Sequence, residues 1–122
     1  MKIQKSAEDY LETMLQLKRE KGYIRSIDIA RHLEVTKPSV SYATKRLREN
    51  GYITMADDGQ IELTEEGFAI AAKIDERHRT LFRFLTKIGV SEETAAEDAC
   101  RIEHDLSDET FRAICRHLEE ED

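Results

Sequence analysis

The sequence predicts a mostly α-helical protein: a winged helix-turn-helix over residues 1–64, with a two-stranded hairpin as its wing, followed by an all-helical segment over residues 65–122. Three observations lead there. Apolar residues recur at helical spacing in most of the chain. The exception is a pair of short runs, Tyr52-Ile53-Thr54-Met55 and Gln60-Ile61-Glu62-Leu63, flanking Ala56-Asp57-Asp58-Gly59, which is the chemistry of a hairpin. Charge also divides the chain. Residues 1–50 hold eleven Lys and Arg against seven Asp and Glu, whereas residues 51–122 hold eight against nineteen.

The elements follow in order. Ser6 and Asp9 stand at capping-box spacing ahead of Tyr10, Leu11, Met14, Leu15 and Leu17, a helical stripe that Lys21-Gly22 stops. Ser26 is expected to cap a short second helix carrying Ile27, Ile29, Ala30 and Leu33. Thr36-Lys37-Pro38 opens a third, with proline in the first turn where its missing donor does no harm, and Asn50-Gly51 ends it. The tight Glu34-Val35-Thr36 connection makes this pair a helix-turn-helix, and the hairpin directly after it makes a wing. Thr64-Glu65-Glu66 restarts a helix whose apolar period runs from Phe68 to Leu85 and stops at Gly89, about 24 residues or ~36 Å at 1.5 Å per residue. Ser91 and Ser107 are expected to cap two last helices.

With 122 residues the chain suffices for one ordinary domain, or for two small ones that lean on each other or on a second copy, so a homodimer is expected. The composition, 39% hydrophobic and 37% charged with one proline, is that of a soluble helix-rich protein. No run approaches the ~18 apolar residues of a membrane span, and no signal-like run follows Met1, so a cytoplasmic protein without membrane partners is expected. Cys100 and Cys115 form no Cys-x-x-Cys pair, and no structural disulfide is expected. The net charge of -7 does not exclude nucleic acid, because phosphate requires only a local basic face and the first 50 residues supply one.

In the third helix Val40, Ala43, Thr44 and Leu47 share one sector at 100° per residue and are expected to pack on the second helix. The other face presents Pro38, Ser39, Tyr42, Lys45 and Arg46, with Lys37 and Ser41 at its margins, Thr36 at its start and Arg48 beyond. Short hydroxyls, one aromatic and cations suit the major groove of double-stranded DNA. Lys45, Arg46 and Arg48 are assigned to phosphates, Ser39, Ser41 and Tyr42 to base edges or thymine methyls. A solvated amphipathic helix is the plainer reading of this stretch taken alone; the wing and the basic half of the chain favour DNA. The wing is expected to contribute little, since Asp57 and Asp58 repel phosphate and no Lys or Arg lies between Arg48 and Lys73.

A second constellation concerns metal. Cys100, Glu103 and His104 stand at i, i+3 and i+4, which aims a thiol, a carboxylate and an imidazole at one face of a helix. Asp9 with Glu12, and His78, add donors on two other helices. Each alone has an ordinary reading: Asp9 as partner of the Ser6 cap, Glu12 as an exposed helix residue, His78 as a half-buried histidine, Cys100 as core. Jointly they suit a divalent transition metal. Carboxylate and imidazole favour Mn2+ or Fe2+, while the thiolate of Cys100 tilts preference toward Fe2+, Co2+ or Zn2+. A rival reading keeps the winged helix without metal, as a regulator sensing oxidants or a small molecule through Cys100. An enzyme is not expected, for there is no nucleophile elbow, phosphate loop or His-Glu-x-x-His run.

On these residues the chain resembles the diphtheria toxin repressor family of metal-dependent transcriptional regulators, and in length it is most similar to the manganese-sensing branch. The resemblance runs from about Ser6 to Leu118 and is carried by Ala7-Glu8-Asp9-Tyr10-Leu11-Glu12, Ile29-Ala30, Pro38-Ser39-Val40-Ser41, Leu63-Thr64-Glu65-Glu66-Gly67, Arg77-His78 and Ala99-Cys100-Arg101-Ile102-Glu103-His104. It implies metal ligands at Asp9, Glu12, His78, Cys100, Glu103 and His104, a recognition helix from Thr36 to Asn50, and a homodimer on operator DNA. Two departures stand out. Manganese sensors of the family usually carry glutamate at the position of Cys100, and iron sensors, which carry cysteine there, usually carry methionine at the position of Asp9. Phe82 and Ala96 occupy positions where the iron branch's ancillary site requires a carboxylate and a histidine, so that site is expected to be missing. One ion and two ions per subunit are both compatible with this set. The iron branch's extra C-terminal domain is likewise not expected.

The expected mechanism is a metal-activated repressor. An ion would join the first helix, through Asp9 and Glu12, to the dimerisation segment, and so set the spacing of two recognition helices for major grooves ~34 Å apart.

Overall fold

The computed structural model describes residues 5–121. The Met1–Gln4 start, where no leader was expected, and the final Asp122 of the acidic end lie outside them. Two compact units divide at Ala72 and Lys73. The first contains α1 (Lys5–Lys21), α2 (Ser26–Leu33), α3 (Lys37–Glu49), β1 (Ile53–Met55) and β2 (Ile61–Leu63), together with the start of α4 (Glu65–Lys87). The second contains the remainder of α4, α5 (Glu92–Ile102) and α6 (Asp108–Glu121). The fold class expected from the sequence is the one observed.

In the first unit α1 supplies most of the core. Leu11 and Met14 are fully buried and Leu15 and Leu17 nearly so, packed with Ile29, Val40, Leu47, Ile53 and Ile61. Gly22, at φ 82°, ends α1 where an L side chain would be strained. Ser6 lies inside α1 rather than ahead of it. Ser26 also fails as a cap: it is already helical, Arg25 holds the cap position in extended geometry, and no side chain accepts a bond there. The Arg25 carbonyl instead accepts from the amides of Asp28 and Ile29. Asp28 adds an acidic group to the first turn, held by Lys21 Nζ at 2.9 Å. Thr36 is the true local signal of the region, because its hydroxyl accepts from the Ser39 amide at 3.2 Å and caps α3.

The wing pairs β1 and β2 antiparallel, with Ile53 opposite Leu63 and Met55 opposite Ile61. Arg25 Nη1 donates to the Asp58 carbonyl at 3.0 Å and so ties the hairpin turn to the start of α2. After β2 the chain turns sharply into α4. The Thr64 amide donates to the Tyr52 carbonyl at 3.0 Å and the Thr64 hydroxyl to the Gly51 carbonyl at 2.7 Å. That hydroxyl also accepts from the Gly67 amide at 3.2 Å. Gly67 is obligatory here, since a Cβ on it would lie 2.0 Å from the Tyr52 carbonyl oxygen.

In the second unit Ile74 and Leu81 of α4, Ala95 and Ala99 of α5, and Leu118 of α6 are buried. The two alanines are fully buried, the small side chains that let a helix approach its neighbours closely. Ser91 and Ser107 cap α5 and α6 as expected, accepting from the amides of Thr94 at 3.3 Å and Thr110 at 3.1 Å. Among the described residues no helix is long and apolar enough to cross a membrane.

Candidate functional site

The second unit brings three of the expected donors together. His78 projects from α4, Cys100 from the last turn of α5, and Glu103 from the residue that caps α5. Cys100 Sγ lies 3.7 Å and Glu103 Oε2 3.0 Å from the same atom, Nδ1 of His78. One donor atom of each residue lies within 4.8 Å of those of the other two. Exposure is graded across the set: Cys100 faces solvent, His78 is half-buried and Glu103 is fully buried. His104 follows, its side chain only 1% exposed, with Nε2 at 3.3 Å from Glu103 Oε1.

Cys100 and Glu103 share the face expected from their spacing and both reach His78, whereas His104 does not continue the helix. Helix α5 ends at Ile102, Glu103 is its cap with φ -59° and ψ -27°, and His104 lies in the turn beyond. The turn that follows is held by Arg77, the residue before His78, which is 6% exposed and donates to the carbonyls of Glu103 and Leu106. Sequence reasoning gave Arg77 no role beyond its place in a motif.

The electrostatics favour a cation among these donors. The Cys100 sulfur first, and the Glu103 carboxylate second, push His78 up to about 10 against the opposing effect of burial. Oε1 of Glu103 is buried and, although His104 Nε2 approaches to 3.3 Å, makes no hydrogen bond, an arrangement that is costly for a carboxylate oxygen and that a metal ion would relieve. One sulfur, one imidazole nitrogen and carboxylate oxygen form a donor set chemically fit for Fe2+, Co2+ or Zn2+, with Mn2+ served by the nitrogen and oxygen members. The residues present therefore fit a divalent metal.

Asp9 and Glu12 stand on α1 in the first unit at i, i+3 spacing. Glu12 is 7% exposed, so it is not the solvent-facing helix residue that its ordinary reading supposed. Asp9 is half-buried, and its capping partner of the ordinary reading, Ser6, lies within the helix.

On α3 the two faces separate as the sequence indicated. Val40, Thr44 and Leu47 are buried, while Thr36, Lys37, Pro38, Ser39, Ser41, Tyr42, Lys45, Arg46 and Arg48 are all exposed. Tyr42 is 64% exposed, unusual for a large aromatic, and Arg46 sits over its ring with Cζ 5.7 Å from the centroid. Arg46 Nη1 also donates to the Tyr42 hydroxyl at 3.3 Å, so the two side chains are presented as a pair. The Thr36 hydroxyl is engaged in its cap and donates to Ser39 Oγ at 2.9 Å.

Comparison with known proteins agrees with both regions. Residues 2–61 match the family model for the iron dependent repressor N-terminal DNA binding domain, and residues 64–121 the model for the iron dependent repressor metal binding and dimerisation domain. The transcriptional regulator MntR of Escherichia coli is 41% identical over 107 residues, covering 88% of this chain and 69% of its own length. An HTH-type transcriptional regulator of Methanocaldococcus jannaschii is 36% identical over 114 residues, covering 92% of this chain and 91% of its own. Among solved structures, IdeR of T. acidophilum superposes with a TM-score of 0.83 at 28% identity over 98% of this chain, which spans 55% of that protein. The chain belongs to the iron-dependent repressor family, the metal-dependent transcriptional repressors that include MntR and the diphtheria toxin repressor.

Proposed function

We propose that this protein is a homodimeric repressor of the cytoplasm, not an enzyme, whose grip on operator DNA is set by a divalent transition metal held by His78, Cys100, Glu103 and His104 together with Asp9 and Glu12. The observation that carries the reading is the convergence of Cys100 and Glu103 on one nitrogen of His78, beside a buried carboxylate oxygen without a hydrogen bond. Mn2+ or Fe2+ is the physiological choice, with Co2+ and Zn2+ as substitutes in vitro. When bound, the metal supplies a cross-link between α1 and the helices of the second unit.

The rest is performed by the chain. Lys45, Arg46 and Arg48 engage phosphates and fix register, and Ser39, Ser41 and Tyr42 read the major groove, with Thr36, Lys37 and Pro38 at the entry of the helix. Two recognition helices must reach successive grooves ~34 Å apart. A protein that holds that spacing only part of the time binds operator more weakly in proportion to the missing population. Asp9 and Glu12, by sharing ligation with the second unit, raise that population without touching DNA. Membership of a family of metal-dependent repressors does not favour the metal-independent alternative through Cys100.

The test is anaerobic calorimetric titration of the full chain with Mn2+, Fe2+, Co2+ and Zn2+ in turn, repeated on Asp9→Asn and His78→Ala. Saturable binding that each substitution weakens supports the shared site. Absence of binding by all four ions refutes it, and binding unaffected by Asp9→Asn removes α1 from the ligand set.

A further inference from the structure

Arg77 makes an unusual set of contacts for a residue next to a candidate ligand. Its guanidinium is buried, and Nη1 donates to the carbonyls of Glu103 at 3.2 Å and Leu106 at 2.7 Å. Nη2 donates to Asp108 Oδ1, and the guanidinium carbon stands 5.2 Å from the Phe111 ring centroid. Lys73 Nζ lies 3.6 Å from the same Asp108 oxygen. Among the described residues the side-chain partners of Arg77 all lie between residues 103 and 111, the segment that begins with Glu103 and His104 and ends in the first turn of α6.

The chemistry of that set is specific to arginine. A helix leaves its last carbonyls without intrahelical partners, and the exit of the chain after Ile102 buries one of them at Glu103. A planar fork of donors satisfies two carbonyls and one carboxylate at once, whereas a lysine ammonium offers a single point charge on a flexible stem. Arg77 and His78 are consecutive on α4, so the backbone that places the imidazole also places the group that fixes the turn opposite it. Metal sites tolerate donor displacements of only about 0.2 Å. Whatever holds the Glu103 backbone relative to His78 therefore enters the metal affinity directly.

We infer that Arg77 is the positioning residue of the metal centre: it clamps the turn after α5 against α4 and so assembles Glu103 and His104 beside His78 and Cys100, without itself touching the ion. The inference rests on the metal reading above. It predicts that Arg77 variants weaken metal binding while every ligand remains in place.

The test compares the wild-type chain with Arg77→Lys and Asp108→Asn in anaerobic Co2+ titrations against a competing chelator. Absorbance reports both affinity and the thiolate-to-cobalt band of Cys100, and metal-free melting and sedimentation report the fold. Arg77→Lys is expected to bind Co2+ about tenfold or more weakly with an altered spectrum, and Asp108→Asn about threefold more weakly in the same direction. A lowered melting temperature with wild-type affinity and spectrum would make Arg77 a purely structural residue and overturn the inference. Should Arg77→Lys fail to fold, Asp108→Asn decides by the same criterion. Wild-type protein that binds no Co2+ would instead overturn the metal reading itself, a result distinguishable from the first.

Discussion

Oε2 of Glu103 lies 3.0 Å from Nδ1 of His78, a contact across 25 positions of sequence that joins a fully buried carboxylate to a half-buried imidazole. Oε1 of the same carboxylate makes no hydrogen bond. This residue is thus the most exacting test of the donor set. Loss of an outer-shell partner already costs a metal site about 10–100-fold, so Glu103→Ala is expected to cost more than ~100-fold in metal affinity. The variant leaves His78 without its carboxylate partner and loses some stability with it, but should remain a folded dimer. Titration with Mn2+ and Co2+ alongside sedimentation checks both halves; affinity within about threefold of wild type would remove Glu103 from the ligands.

Cys100 is the one soft donor of the set and stands exposed at its edge. Cys100→Ser should weaken Zn2+ and Co2+ binding by about tenfold or more and change Mn2+ affinity much less, since thiolate favours the softer ions. Competition titrations with the three metals measure the ratio. An unchanged ratio would place the sulfur outside the coordination sphere.

Lys45 is exposed on α3. If it meets one phosphate, Lys45→Ala weakens binding to all duplexes and lowers the slope of log affinity against log salt by about 0.9. Anisotropy measured over a series of salt concentrations gives the slope directly, and an unaltered slope would move Lys45 off the DNA backbone.

Gly67→Ala places a Cβ 2.0 Å from the Tyr52 carbonyl oxygen, a backbone atom that cannot swing aside. Overpacking of this kind costs typically ~1–3 kcal/mol, here at or above the upper end. Urea unfolding should show the loss, and stability equal to wild type would mean that the start of α4 has room to shift.

Thr36→Ala should cost about 1 kcal/mol, the usual worth of an N-cap, while Ser26→Ala should lie within about 0.5 kcal/mol of wild type. Equal losses in urea unfolding would contradict the capping geometry of α2 and α3.

These two caps show what the sequence could reveal. Thr36, Ser91 and Ser107 were legible because a cap needs only a hydroxyl and an amide three residues on. Ser26 satisfied the same pattern and failed, because the preceding Arg25 already adopts the extended geometry of the cap. The faces of α3 were legible from period alone, since Val40, Thr44 and Leu47 mark the buried side. The end of α5 was not. The turn in which it ends is held by a guanidinium reaching over from position 77 to the Glu103 carbonyl, a tertiary contact that no local pattern contains. The same holds for the burial of Glu12 and for the close approach that makes Gly67 necessary. The candidate donors could be named from residue type and spacing; their distances, burial and the clamp at Arg77 belong to the fold.

Metal at these donors is proposed to switch DNA binding. Duplexes selected by the protein from a random-sequence pool with Mn2+ or Fe2+ present provide the probe, and the decisive measurement is affinity for the selected duplex with metal and after chelation. Chelation is expected to lower duplex affinity by about 5- to 150-fold, the range of ordinary allosteric coupling, and removal of duplex to lower metal affinity by the same factor. Equal duplex affinity in the two conditions would contradict it.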